Sequence, residues 1–354
     1  MMKTKLTELL GCKYPIIQTA MGWVADANLV AANCNAGAFG FLAGAVMSPE
    51  EVEAGILEIK SRTDQPFGVN FHMYQAGATE IIDLCVKHKV AAVSYSRSPD
   101  KVMIKKLKDA GIVCIPTVGA VKHAVKAVEM GADAIVIQGG EGGGHTGSVA
   151  TTILLPQVID ALKESGVPVV AAGGFSDGRG LVAALGFGAD GIAMGTRFLM
   201  TKESPVPPQT KENYIKANPN QIIVSKKLDG LPQRMIMNKC LDDLEHAGPI
   251  SMFFSAIKNG LAYRRYTGQS LLSLLQAGWK MKQNNKLTYG QTLMSGNAPM
   301  MIQEAMVRGN PSEGILPSGQ IAGAIGDLPD CATLISTMVN DAKSRLAAMS
   351  TLVN

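Results

Sequence analysis

Short apolar runs alternate with amphipathic segments along the first part of the chain. Each run has the length and composition of a buried strand, and each is followed by a segment with helical periodicity. The eight predicted strands span residues 15–19, 39–43, 67–70, 91–94, 113–117, 134–137, 168–172 and 191–194. The helical segments include residues 121–130 and 176–187, and Ser48-Pro49-Glu50-Glu51 has the residues that open a helix.

Eight strand–helix units in succession predict parallel strands that are joined by crossover helices. Eight is also the number of strands that closes a (β/α)8 TIM barrel, which is the α/β fold predicted here. An open, doubly wound sheet is the second alternative. It is less favoured because no G-x-G-x-x-G sequence follows the first strand, where a dinucleotide-binding fold would carry it.

The alternation stops after Phe198, and the proline-rich stretch Ser204–Pro208 is typical of a domain exit. The sequence thus predicts a barrel over residues 1–205, a helical insertion or lid over 206–290, and a C-terminal segment, 291–354, that packs back on the barrel. The insertion carries 12 Lys and Arg against 5 Asp and Glu. This excess suggests an anionic ligand that passes beneath a lid, but a solvated surface is the favoured interpretation for most of these charges.

Composition excludes several classes of protein. The 354 residues carry a net charge of only +4, which does not indicate a nucleic-acid partner. The first ten residues lack the apolar core of a signal peptide, and no apolar run reaches the ~18 residues of a membrane span. The six cysteines have no metal-binding spacing, so no metal site is predicted. We expect a soluble, cytoplasmic protein.

The sixth predicted strand leads into a loop, residues 139–147, in which six glycines surround Glu141 and His145. Glycine allows backbone to pass close to a ligand and to adopt positive φ. A lone imidazole in such a loop is a candidate general acid or base. The alternative is a flexible loop whose histidine happens to be exposed.

The last two predicted strands end in turns of the kind that hold phosphate. Gly173 and Gly174 follow the seventh strand, and Gly195 and Thr196 follow the eighth. The equivalent loops of (β/α)8 barrels often bind phosphate through backbone N–H groups. Two such turns at these two positions favour a phosphate site over ordinary tight turns.

Polar side chains stand at the ends of other strands: Gln18, Asn70, Gln138 and, in the glycine loop, His145. A buried amide needs a hydrogen-bond partner, and the edge of a flavin ring would satisfy several amides at once. Each amide alone is more often structural, so their common location at one mouth of the barrel is the argument.

Five motifs then occur in order, and together they resemble the nitronate monooxygenase (2-nitropropane dioxygenase-like) family, which includes FMN-dependent enoyl-acyl-carrier-protein reductases. The motifs span residues 15–22, 67–70, 138–147, 171–175 and 193–198, and the resemblance extends to 317–323. It covers nearly the whole chain.

The resemblance implies an FMN-binding barrel with an inserted lid. By position, His145 matches the active-site histidine of the family. The positions that would hold FMN are Met21, Gly22, Asn70, Gln138, Gly143, Gly144, Gly173, Gly174, Gly195, Thr196 and Gln320. Among these, Gly173, Gly174, Gly195 and Thr196 would hold the phosphate.

Two reactions fit the resemblance. One is oxidation of alkyl nitronates with O2, and the other is NADH- or NADPH-dependent reduction of enoyl or CoA thioesters, including steroid-ring degradation intermediates. The substrate in either case is a small molecule, an alkyl nitronate or an acyl thioester. A third hypothesis is a barrel that binds FMN or phosphate without turnover. Many members of the family have alanine where this chain has Gly142, and we expect a less filled pocket wall there.

Overall fold

The computed structural model describes residues 2–248, except 74, 76, 97 and 98, together with residues 297–352. These residues form two compact units. The first is drawn from residues 1–142, 147–205 and 327–354, and the second from residues 143–146 and 206–326. The second unit thus includes a four-residue piece of the glycine loop.

The first unit contains the predicted barrel. Eight parallel strands close on themselves, with the first strand paired to both the second and the last. They are β1 (Ile16–Gln18), β2 (Phe39–Leu42), β3 (Gly68–His72), β4 (Ala92–Ser96), β5 (Val113–Val118), β6 (Ile135–Gln138), β8 (Val169–Ala172) and β9 (Gly191–Met194). The (β/α)8 prediction is confirmed, and the open-sheet alternative is wrong.

Helices surround this barrel in the expected order. They are α1 (Lys5–Leu10), α2 (Ala27–Asn35), α3 (Pro49–Arg62), α4 (Ala78–Lys87), α5 (Lys101–Asp109), α6 (Val121–Glu129), α7 (Thr151–Leu162), α8 (Gly178–Gly186) and α9 (Thr196–Leu199). Helix α3 begins as its sequence predicts, because Ser48 Oγ accepts the Glu51 N–H while the Glu51 carboxylate accepts the Ser48 N–H at 2.7 Å.

Apolar side chains fill the interior of the barrel and close its amino-terminal end. Phe39 and Phe41 of β2 lie edge to face, with ring centroids 5.1 Å apart. Leu6 and Leu10 of α1 pack against the same interior cluster. Because this end is plugged by side chains, a ligand of the barrel has its access at the carboxyl ends of the strands.

The end of the chain returns to the barrel. Helix α13 (Cys331–Ser350) buries Leu334, Ile335 and Met338 in the cluster that also holds Leu181 of α8. The returning segment is anchored where it begins: the buried Arg197 guanidinium donates to Asp327 Oδ1 at 2.6 Å and to the Asp327 carbonyl at 3.1 Å.

The second unit combines helices with a small antiparallel sheet. Its strands are β10 (Ile222–Ser225), β11 (Gln233–Ile236) and the two-residue β7 (Gly144–His145), in the order β10-β11-β7. Its helices are α10 (Pro208–Lys216), α11 (Lys239–His246) and α12 (Asn297–Met306). Leu228, Met235 and Leu241 belong to its apolar core.

This unit differs from the predicted insertion in two respects. The insertion is not wholly helical, since it contains β10 and β11. These strands were not predicted because four residues are too few to show clear alternation in a sequence. In addition, residues 297–326 group with this unit and not with the C-terminal segment. Residues 249–290 of the predicted lid lie outside the described residues. Among the helices that are described, none combines the length and apolarity needed to span a membrane.

Candidate functional site

Amide side chains stand at the ends of three barrel strands. Gln18 of β1 is fully buried, and its Nε2 donates to the carbonyls of Thr19 at 2.5 Å and Phe41 at 3.2 Å. Because its amide nitrogen bonds to backbone, Gln18 holds β1 to β2 and does not line the rim. For this residue the structural alternative is the right one.

Asn70 of β3 is half-buried and faces Ser94 of β4. Its Nδ2 donates to the Ser94 carbonyl at 3.1 Å and to the Ser94 hydroxyl at 3.0 Å. Within the described part of the chain, Oδ1 of Asn70 accepts no hydrogen bond. The side chain is thus held in place by its donor end and offers its acceptor end at the rim.

The loop after β6 packs tightly on the start of α7. Glu141 accepts the Thr151 N–H at 2.9 Å and the Thr151 hydroxyl at 2.7 Å, which ties the loop to the first residue of the helix. A Cβ at Gly139 would lie 2.6 Å from the Thr151 Cα. A Cβ at Gly142 would lie 2.6 Å from the Gln138 Cδ, so Gln138 occupies the space beside this glycine. The expected gap in the pocket wall at Gly142 is therefore filled.

Gly173 and Gly174 form the turn after β8, with φ of +97° and +87°. A side chain at either position would be strained, so the turn depends on glycine. The next residues are committed to α8, because Asp177 accepts the Gly180 N–H at 3.1 Å. Burial opposes ionisation of Asp177, but hydrogen bonds from Arg179 and Gly180 outweigh it and lower the pKa of this carboxyl. A phosphate at this turn would therefore bond to the backbone of the two glycines, because Asp177 already accepts the Gly180 N–H at the start of α8.

The turns after β1 and β9 lie side by side. A Cβ at Gly195 would be 3.4 Å from the Met21 sulfur, and Thr196 begins α9 directly afterwards. The Met21 carbonyl accepts the N–H groups of Val24 at 3.0 Å and Ala25 at 2.9 Å, closing a tight turn that contains Gly22. The structure thus brings together Met21, Gly22, Gly195 and Thr196, and their contact with FMN stays a prediction.

His145 belongs to β7 in the second unit. It pairs with Gln233 of β11, and Gly144, with φ of +63°, pairs with Arg234. The His145 Nε2 lies 2.8 Å from the Asp229 Oδ2. The imidazole is 58% exposed, whereas the Asp229 side chain is 5% exposed. An exposed imidazole held by a buried carboxylate can take up or release a proton without changing its position.

Sequence reasoning missed Asp229. It lies 84 positions from His145 in the chain. No local motif marks it, since it precedes a short strand that was itself not predicted. Only the pairing of β7 with β11 brings it to the histidine.

Gly143 packs against Gly319, the residue directly before Gln320. A Cβ at Gly143 would lie 2.5 Å from the Gly319 nitrogen, so this glycine is required by backbone packing. Gln320 follows directly, begins the 3-10 helix Gln320–Ala324 and is exposed.

Comparison with known proteins identifies the class. The nitronate monooxygenase family profile matches residues 3–92 and 78–341. The chain is 46% identical, over 99% of both chains, to a (3aS,4S,5R,7aS)-5-hydroxy-7a-methyl-1-oxo-octahydro-1H-indene-4-carboxyl-CoA dehydrogenase of Mycobacterium tuberculosis. It is 32% identical to a probable nitronate monooxygenase of Staphylococcus saprophyticus, over 67% of this chain and 79% of that one.

Among solved structures, the fold is similar to that of FabK from Thermotoga maritima. The TM-score is 0.80 at 27% identity, over 99% of this chain and 100% of that one. The barrel and these similarities define an oxidoreductase. The chain belongs to the nitronate monooxygenase family.

Proposed function

We propose that the protein is an FMN-dependent oxidoreductase of ring-bearing acyl-CoA thioesters. The observation that carries this proposal is the 46% identity, over 99% of both chains, to a relative named for a bicyclic carboxyl-CoA substrate. The relative named a probable nitronate monooxygenase is less similar and aligns with only 67% of this chain.

The residues of the barrel rim fit FMN. Asn70 presents an amide oxygen to which no described residue donates, and an amide oxygen suits the N–H groups of a flavin ring. Gly173 and Gly174 leave backbone without side chains at a turn where phosphate commonly binds in such barrels. We assign the ring and ribityl to Met21, Gly22, Asn70 and Gln138, and the phosphate to the turns at 173–174 and 195–196.

We also propose roles for the histidine loop and for Gln320. We assign Gly143, Gly144 and Gln320 to positions beside the cofactor, and His145 to the substrate. When bound, FMN would supply a two-electron acceptor and donor of hydride. NADH or NADPH, or its oxidised form, is the second redox partner that we propose.

His145 handles the proton in this reaction. In the dehydrogenating direction, the substrate would lose a hydride, for which FMN would be the acceptor, and a proton. The proton from a second substrate group passes to the imidazole. In the reducing direction, the same imidazole returns the proton. The exposed ring and the buried Asp229 beneath it support this role.

The charge of the chain supports a substrate with several phosphates. Within residues 249–290 there are six Lys and Arg and no Asp or Glu. CoA carries phosphates that such a segment would attract.

Oxidation of alkyl nitronates with O2 is the second candidate. It is supported by the description of the family and by the Staphylococcus saprophyticus relative. In that reaction the same His145 would assist at the nitronate.

Purified wild-type protein and His145→Gln test the proposal together. We expect both to release FMN on denaturation. With NAD+ or NADP+ as the electron acceptor, we expect kcat for a hydroxylated bicyclic acyl-CoA to be at least about 100-fold lower in the variant than in the wild type. A wild-type rate in His145→Gln would contradict the catalytic role of His145. Absence of flavin from the wild type would contradict the assignment of FMN as the cofactor.

A further inference from the structure

Asp229 is buried between β10 and β11 and accepts hydrogen bonds from two fixed groups besides the histidine. The Leu231 N–H donates to its Oδ1 at 3.0 Å, and the Gln233 Nε2 donates to its Oδ2 at 2.6 Å. The His145 Nε2 lies 2.8 Å from the same Oδ2. Both carboxylate oxygens are therefore held from within the second unit.

The backbone fixes the histidine against this carboxylate. His145 pairs with Gln233 in the ladder, so the residue that bonds Asp229 lies directly opposite the histidine. One residue further along, the Thr146 N–H donates to the Pro232 carbonyl at 3.1 Å. His145 is thus aligned by residues 229–234 through both its main chain and its ring.

The shared oxygen determines which ring nitrogen carries the proton. Gln233 donates to Oδ2, and an ionised carboxylate has no proton to donate, so Oδ2 is the acceptor in both of its hydrogen bonds. The same oxygen faces the His145 Nε2, which is therefore the protonated nitrogen of the neutral ring. In that tautomer, Nδ1 is the ring nitrogen that carries no proton.

We propose that Asp229, itself held by Gln233, is a positioning residue that fixes the ring of His145 and its Nε2–H tautomer. This inference rests on the proposed function, because it needs His145 to handle the proton of the substrate. On this proposal, Asp229 contributes to the chemical step and not to substrate binding.

The first test is the tautomer of His145 in the wild-type holoenzyme, read from imidazole 15N NMR. The chain has only five histidines, and the signal that disappears in His145→Gln identifies the residue. We expect the Nε2–H form. A neutral ring protonated at Nδ1 would overturn the proposal, and this result needs no substitution at Asp229.

The second test is Asp229→Asn, with Asp242→Asn as its matched control. Asp242 forms an exposed pair with His246 in the same unit, at 3.4 Å. We expect Asp229→Asn to keep its FMN, to lower kcat about 10- to 100-fold with KM within about threefold, and to shift the His145 tautomer. The control should match the wild type in all three.

The outcomes separate this inference from the proposed function. If His145→Gln is inactive while Asp229→Asn matches the wild type in kcat and tautomer, the positioning role is wrong and the function stands. If His145→Gln is fully active, the function itself fails. In the double variant, loss of activity no greater than in His145→Gln alone supports action through His145, whereas additive losses contradict it.

Discussion

Gly142 packs directly against the side chain of Gln138, so that a Cβ at position 142 would lie 2.6 Å from both Cγ and Cδ of the glutamine. The Gln138 side chain can therefore lie where it does only because residue 142 has no side chain. On our proposal that Gln138 holds FMN, a side chain at position 142 would disturb the cofactor site by displacing Gln138.

We predict that Gly142→Ala weakens FMN binding. The methyl group forces Gln138 to move, because its Cγ and Cδ are closer than a real Cβ contact allows. We expect the Kd for FMN to rise about tenfold, which corresponds to about 1.4 kcal/mol, with the fold retained. Fluorescence titration of the apoprotein with FMN measures this change.

Gly186→Ala is the matched control for that titration. Gly186 ends α8, and a Cβ there would meet no atom within 4 Å. This variant should bind FMN like the wild type. Equal FMN affinity in Gly142→Ala and in the control would show that Gln138 does not hold the cofactor.

We predict that Glu141→Ala destabilises the barrel. The carboxylate accepts both the N–H and the hydroxyl of Thr151, which is buried at the start of α7. Removing it leaves the Thr151 N–H without its acceptor, whereas the hydroxyl still has the Gly173 carbonyl at 3.0 Å, so we expect a loss of about 1–3 kcal/mol in the free energy of unfolding. Urea unfolding measures the loss. A midpoint equal to that of the wild type would contradict the role given to Glu141.

The interior of the barrel should not tolerate a methyl group at Gly68. A Cβ there would overlap the Phe41 ring and lie 2.9 Å from the Ala92 carbonyl oxygen. Because both neighbours are part of the closed barrel, we expect Gly68→Ala to cost about 1–3 kcal/mol. Thermal unfolding monitored by circular dichroism tests this. Gly186→Ala again serves as the control, and a Gly68→Ala protein with wild-type stability would contradict the described packing.

The thiols should resist alkylation in the native state. Desolvation by burial raises the pKa of the thiols to about 11 in Cys12 and Cys240 and to about 12 in Cys34, Cys85 and Cys114; it also raises that of Cys331. For a pKa of 11, about one thiol in a thousand is ionised at pH 8, and the thiolate is the reactive form.

Iodoacetamide at pH 8, followed by mass spectrometry, checks this expectation. Native protein should keep all six thiols for far longer than urea-unfolded protein, and modification should speed up as the pH rises towards 11. Cys240 is only half-buried, so it should react first. Rapid labelling of any thiol in the native protein at pH 8 would contradict the burial described.

The barrel was predictable because each of its strands is a compact apolar run that precedes an amphipathic helix. The turns at Gly173 and Gly195 were predictable for the same reason, since the fold fixes their position after the last two strands. The sheet of the second unit was not, because β7 has two residues and its partners have four. The contact between His145 and Asp229 depends on that sheet, so His145 could be predicted from the sequence and Asp229 could not.

Gln18 shows the opposite failure. Its position at a strand end was predicted correctly, but an amide in a sequence does not reveal whether it bonds a ligand or backbone. The nearby carbonyls of Thr19 and Phe41 decide this, and they become neighbours only when β1 pairs with β2.

The central claim is that the enzyme exchanges hydride with an acyl-CoA thioester. Anaerobic stopped-flow absorbance of the flavin tests it most directly, with the oxidised protein mixed separately with a hydroxylated bicyclic acyl-CoA and with an alkyl nitronate. We predict that the thioester bleaches the flavin and that the nitronate does not, and that the thioester bleaches His145→Gln at least about 100-fold more slowly than the wild type. Bleaching by the nitronate alone would contradict this account and establish the nitronate reaction in its place.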